Sequence, residues 1–286
     1  EGTGFYAVQS LLRDYREREL PRALSIFFGN VNAAAEGLRM FDGQADYNRV
    51  WPGSLDTNSP ESAMMQQIVE TMRARKAFAS LDIHNNTGIN PHYACINRVD
   101  NQFLQLASLF SRTVVYFIRP LGVQSMAMSY VCPSVTIECG KPEHEYGTRH
   151  ARDYIDACLH LSELPQHPVP SHDVDLFHTV AIVKVPETMS FGFGDADTDL
   201  RLLGEIDHLN FRELPVGSRL GQFRNGVDGL LDVRDDNDQD VFSRYFRIDD
   251  GVLLSACPFM PSMFTLDERV IRQDCLGYLM ERLLPE

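Results

Sequence analysis

A carboxylate, an imidazole, a second carboxylate and two guanidinium groups stand out in four short segments of the chain. These are Glu1-Gly-Thr-Gly4, the run from Arg39 through Asp46-Tyr-Asn48-Arg49 to Gly53, Asp82-Ile-His84-Asn-Asn-Thr-Gly88, and Ile137-Glu138-Cys-Gly140. Hydrolysis at a metal ion requires these residue types. Three protein ligands, commonly two His and one Glu, leave the fourth position of a zinc ion to water. A carboxylate takes that water's proton, and cations fix the substrate and the oxyanion that develops on it. Glu1, His84, Glu138, Arg39 and Arg49 supply these types, short of one His. Asp82 is placed to orient a ligand by hydrogen bonding.

Such residues need a frame, and the apolar pattern outlines one. Phe5, Val8, Leu11 and Leu12 recur at helical spacing, ahead of a charged run from Arg13 to Glu19. Ala23 to Phe28 reads as a short buried strand. Pro60 and Glu61 open a helix to about Ala79, with Met64, Met65, Ile68, Val69 and Met72 on one face. Leu81 to Ile83, Thr113 to Ile118 and Ser134 to Ile137 read as strands, Phe103 to Phe110 and Glu145 to Leu161 as helices. Short strands alternating with helices predict an α/β fold with a mixed, mainly parallel sheet flanked by helices. In such sheets ligands gather at the carboxyl ends of strands, where His84 and Glu138 both fall.

Beyond Pro165, Pro168 and Pro170 the texture changes to β-rich pieces, Leu176 to Val185, Met189 to Phe193 and Val252 to Ala256. Helical periodicity returns only from Leu266 to Leu284. The expectation is two domains: a catalytic one over residues 1–164 and a smaller β domain over 165–286, whose C-terminal helix packs back on the first.

The 286 residues carry a net charge of −14 with a pI near 5.0, which argues against a protein that coats phosphate backbones. Three lysines stand against 23 arginines, a bias that codon usage explains more simply than function. Six cysteines form no C-x-x-C pair and read as reduced, small hydrophobes. There is no apolar run of about 18 residues and no visible signal peptide, so a cytoplasmic protein without a membrane partner is expected. Asp236, Asp238 and Asp240 mimic the start of a calcium loop, but Val241 stands where Gly is needed and Arg247 where Glu is needed. Gly192-Phe-Gly194 lacks the rest of a dinucleotide loop. His144 and His150 read as surface residues.

Taken together, the four segments resemble the succinylglutamate desuccinylase/aspartoacylase branch of the zinc carboxypeptidase superfamily. That family holds zinc through a His-x-x-Glu motif and a distant His in an Asp-(Leu/Ile)-His segment. Asp82-Ile83-His84 matches the latter, and Glu1, followed by Gly-x-Gly and an apolar helix, matches the Glu of the former. The resemblance implies one zinc ion held by Glu1, His84 and a His expected three residues before Glu1, upstream of the given sequence. Asp46-Tyr-Asn48-Arg49 resembles the family's Asp-Leu-Asn-Arg motif, whose Asn and Arg hold a substrate carboxylate. Arg39 sits where the family has an Arg that polarises the scissile carbonyl, and Glu138 where it has the catalytic Glu. The likeness covers residues 1 to 160; the C-terminal β domain is expected in this branch but carries no matching motif. Acylases of this type have a further Arg about ten residues before the catalytic Glu; here Met128 stands in that region and Arg119 is the nearest Arg.

The resemblance implies a zinc-dependent hydrolase of an amide bond next to a carboxylate, with a small N-acyl amino acid as the favoured substrate. A metallocarboxypeptidase acting on a peptide C-terminus is one alternative. A zinc-less binding protein with a carboxylate pocket is another, from a different class. No nucleic-acid partner is expected, and a homo-oligomer stays open.

Overall fold

The computed structural model describes every residue except Glu1, Glu143, Asn225, Val227 to Gly229 and Leu284 to Glu286. The chain forms two compact units. One holds residues 2–85 and His92–Leu176; the other holds Asn86–Pro91 and Phe177–Leu283.

The first unit contains α1 (Thr3–Asp14), α2 (Val31–Ala35), α3 (Pro60–Ala74), β1 (Ser80–His84), β2 (Tyr93–Ile96), α4 (Asn101–Ser108), β3 (Thr113–Tyr116), α5 (Gln124–Met128), β4 (Ser134–Glu138) and α6 (Glu145–His160). Its strands lie in the order β1-β4-β2-β3. β1 and β4 are parallel, as are β2 and β3, and β2 runs antiparallel to β4, so the sheet is mixed, with two of these three pairings parallel. The four residues of β2 are all buried and too few to show a period, which is why the sequence hides them.

Local chemistry explains the helix boundaries. Ser59 caps α3 by accepting a hydrogen bond from Ser62 N (3.2 Å), with Pro60 at the first helical position and Glu61 in the first turn. Asp100 caps α4 through Gln102 N (3.0 Å). Met65 and Val69 are buried with Val50, Trp51, Ala127, Met128 and Cys132, and Met64, Ile68 and Met72 pack against that cluster. Tyr15 donates to Asp156 (2.6 Å) and Arg152 pairs with Asp14, tying the end of α1 to α6.

The second unit contains β5 (Asp175–Lys184, which begins two residues earlier in the first unit), β6 (Phe191–Phe193), β7 (Leu200–Leu202), β8 (Arg219–Phe223), β9 (Asp232–Arg234), α7 (Phe242–Tyr245), β10 (Phe246–Asp249), β11 (Val252–Ser255), β12 (Met260–Ser262), α8 (Glu268–Gln273) and β13 (Gly277–Arg282). β13 pairs antiparallel with β5 and β12, and β9 with β5. A second sheet follows the order β10-β11-β8-β7-β6. One core, from Ala181 through Tyr245, Phe246 and Phe264 to Leu279, serves both.

Three expectations change here. Ala23 to Phe28 forms no strand, and Ile26, Phe27 and Phe28 are exposed; side chains hold the segment instead, with Arg75 donating to Ser25 Oγ (3.1 Å) and Phe27 meeting Trp51 edge-on. Where a helix is expected over Leu266 to Leu284, the described residues form α8 and then β13, and Leu284 lies outside them. Leu276 N–H donates to Val183 O (2.8 Å) and the ladder with β5 continues to Arg282, so strand pairing overrides the helical spacing of the leucines. The proline-rich stretch from Pro165, expected to open the second domain, stays with the first unit, where Asn101, Gln102 and Gln105 of α4 donate to the carbonyls of Gln166, Leu164 and His167 (2.7, 3.1 and 3.0 Å). All six cysteines are unbridged, five of them buried.

Candidate functional site

The parallel pairing of β1 and β4 sets the site. In their register Asp82 faces Thr136 and His84 faces Glu138, at the carboxyl ends of both strands. Cys139 N–H donates to His84 O (2.9 Å), closing the ladder one residue beyond. β2 flanks Glu138 on the other side, with Tyr93 opposite it. Glu138 is only 7% exposed.

Asn85 locks this corner. Its Oδ1 accepts from Thr3 N (3.3 Å), while Nδ2 donates to Thr3 Oγ1 and to Gly140 O (both 2.9 Å). One buried amide, on the residue after His84, thus ties the start of α1 to the turn after Glu138. Glu1, two residues before Thr3, lies outside the described residues.

The loop with Asn48 and Arg49 reaches the same place. Asn48 Nδ2 is 3.4 Å from His84 Nε2, and Asn48 Oδ1 accepts from Gln124 N (3.1 Å), while Gln124 Nε2 donates to Ser80 Oγ at the start of β1 (2.7 Å). Arg49 Nη1 donates to Asn48 O (2.7 Å). Gly122 makes the close approach possible. Its φ is +74°, and a Cβ there would lie 2.3 Å from Arg49 O, so neither the backbone nor the space admits a side chain. Arg39 is held by Asp46. Its Nη2 and Nε donate to Asp46 Oδ2 (2.8 and 3.2 Å), and Asp46 Oδ1 accepts from Asn48 N (2.9 Å), so Arg39 joins the site through Asp46. Burial pushes the Asp46 carboxyl up, but the charges of Arg39 and Arg49 and the Asn48 N–H hold it below its ordinary value.

The donor chemistry bears on a metal. Asp82 Oδ2 is buried and makes no aligned hydrogen bond, yet lies 3.0 Å from His84 Nε2. A buried carboxylate oxygen left beside an imidazole nitrogen fits a divalent cation in kind. Among the described residues, no three His, Cys, Asp or Glu side chains gather to hold one. Cys95, beneath Glu138 and Asp82, is no thiolate candidate: burial, then those two charges, raise its thiol well above the usual value.

Behind the turn after Glu138, His92 stacks among Tyr146, His150 and Phe110, at ring separations of 5.3, 5.3 and 6.2 Å. His150, expected at the surface, is half-buried, 4.4 Å from the Phe110 ring, with Nε2 2.8 Å from Phe110 O. Burial and then the charges of His150 and His144 depress the His92 pKa. Its unfolded-state value is about 6.5, so the unfolded chain takes up the proton first. Stability is therefore full above about pH 6.5 and declines as pH falls below it. Urea unfolding from pH 8 to pH 5 should show this decline, and His92→Gln should flatten it; an unchanged slope in the variant overturns the assignment to His92.

Sequence reasoning named His84, Glu138, Asn48 and Arg49, and the structure brings His84, Glu138 and Asn48 together. It missed Asn85 and Gln124, whose partners lie far along the chain.

No family model matches the sequence, and no curated protein matches it. Solved structures do match. Succinylglutamate desuccinylase from Chromobacterium violaceum aligns with TM-score 0.61 and 16% identity over 100% of this chain and 82% of that one. Murine aminoacylase 3 aligns with TM-score 0.63 and 13% identity over 100% and 93%. Succinylglutamate desuccinylase/aspartoacylase from Rhodobacter sphaeroides aligns with TM-score 0.59 and 14% identity over 97% and 82%. At these identities the likeness is one of fold.

Proposed function

We propose that this chain, which has the mixed α/β fold of succinylglutamate desuccinylase and aminoacylase structures, hydrolyses the amide bond of a small N-acyl amino acid with the help of one zinc ion. The observation that carries the reading is the register of His84 with Glu138 at the carboxyl ends of two parallel strands, with Asn48 3.4 Å from His84. Glu1 and His84 would be among the metal's ligands, with Asp82 orienting the imidazole. When bound, zinc would lower the pKa of water to about 7.

The chain's own groups do the rest. Glu138 accepts a proton from the attacking water and returns it to the nitrogen of the departing amine. Arg49, braced by Asn48, engages a substrate carboxylate and supplies local positive charge in a chain of net charge −14. Arg39, fixed on Asp46, places a further cation for the carbonyl oxygen of the scissile amide, a contribution of about 3 kcal/mol for one such donor. The substrate is a small molecule met in the cytoplasm; among the described residues no helix is long and apolar enough to cross a membrane.

The test is metal analysis of the purified protein with hydrolysis assays on N-acyl amino acids and on peptides. One zinc per chain and cleavage of N-acyl amino acids are expected, with His84→Ala losing the metal. Cleavage of peptide C-termini alone would make the protein a carboxypeptidase. A metal-loaded protein cleaving neither class would sink the hydrolase reading.

A further inference from the structure

The second unit carries a cavity of about 180 Å³ beside its five-stranded sheet, around which Asp197, Thr198, Arg201, Gln222 and Arg224 are set. Arg201 on β7 and Gln222 on β8 are cross-strand partners. Arg201 Nη2 donates to Gln222 Oε1 (3.3 Å), and Arg219 Nη2 donates to the same oxygen, also at 3.3 Å. Two guanidinium groups thus converge on one neutral acceptor. Among the described residues neither is paired with a carboxylate, although Arg224, Arg234, Arg244 and Arg247 of this unit each are.

Arg219 is exposed and Arg201 half-buried, so a dissolved anion can reach both. Like charges drawn together repel, and in a chain of net charge −14 a carboxylate would be the cheap remedy. The nearby acids are turned to other work. Asp199 Oδ2 accepts from Ser190 N and Oγ (2.9 and 2.6 Å), which holds its carboxyl below the ordinary value. Asp197 pairs with Arg224 (2.6 Å) with its side chain fully exposed, so an incoming anion can exchange with it easily. Each guanidinium presents five N–H donors in a planar fork suited to two oxygens of one anion, and a single long bond to Gln222 leaves most of that capacity unused.

We infer that Arg201, with Arg219 and Arg224 beside it, forms a binding site for a small oxyanion, the carboxylate or phosphate of a metabolite, within the second unit. This site is made by residues of the second unit alone and does not depend on the proposal for hydrolysis.

The whole chain is titrated with inorganic phosphate and, separately, with succinate, reading the Arg201 and Arg219 Nε–H resonances by NMR, the latter alone in the variant that lacks Arg201. That readout keeps this site distinct from any binding at Arg49. Saturable shifts at Arg201 are expected with at least one probe, and the better probe tells phosphate from carboxylate. Arg201→Gln should weaken binding by about tenfold, as loss of a charge-assisted pair implies. Asp197→Asn, which removes the competing carboxylate, should strengthen it, and Arg247→Gln on β10 should leave it unchanged. No saturable shift with either probe overturns the inference. So does equal binding in a folded Arg201→Gln variant or, if that variant does not fold, unchanged affinity in Asp197→Asn.

Discussion

Glu138→Ala is expected to keep its fold and its zinc and to lose turnover by about 10² to 10⁴-fold, the range that a positioned general base contributes. The residue ends β4 in register with His84 and is 7% exposed. Its backbone is therefore held by two ladders, one to β1 and one to β2. A group fixed this way acts by position as well as basicity, so Glu138→Gln, which keeps the shape but cannot take a proton, should fail almost as fully. Metal content, circular dichroism and kcat/KM on the best N-acyl amino acid decide the matter. Turnover retained in either variant removes Glu138 as the base.

The second large effect is expected where a helix rule points the wrong way. Gly147 lies in the first turn of α6, and Ala is ordinarily favoured over Gly in a helix by about 1 kcal/mol. Here a Cβ would lie 2.3 Å from Cys139 O, a backbone atom that cannot swing aside. Cys139 follows Glu138, and its N–H is bonded to His84 O. Gly147→Ala should thus destabilise the protein by about 2 kcal/mol, within the usual cost of overpacking. It should also lower kcat by displacing the turn that aims Glu138. Urea unfolding and kinetics test both parts; a variant more stable than the parent would show that the helix and β4 separate freely.

His84, Glu138 and Asn48 were legible because each sits in a short segment of distinctive composition, at a strand end or a turn that the local pattern already marks. What gathers them was not. Asn85 clamps residues 82 positions before it and 55 after it, and Gln124 holds Asn48 across 76 positions. Such contacts leave no period and no motif. Arg39 shows the limit of a motif from the other side: its type and place were noted, but its bonds to Asp46 depend on how the loop folds. Gly277 to Arg282, among leucines at helical spacing, became a strand because the edge of β5 was there to pair with. Ala23 to Phe28 had the composition of a strand and no ladder to join.

The membership of Asn86–Pro91 in the second unit has a hereditary consequence. Thr87 is bonded to Thr265 (2.8 Å), and Asn90 accepts from Met263 N (3.0 Å), so these six residues are matched to sequence far downstream. A recombination event that exchanged residues 177–283 at a single junction would leave that short graft behind, mismatched, immediately after Asp82-Ile-His84-Asn85. The second unit is therefore not a cassette. Its divergence must proceed in step with a loop lodged inside the segment that supplies the imidazole, and the two have to be passed on together.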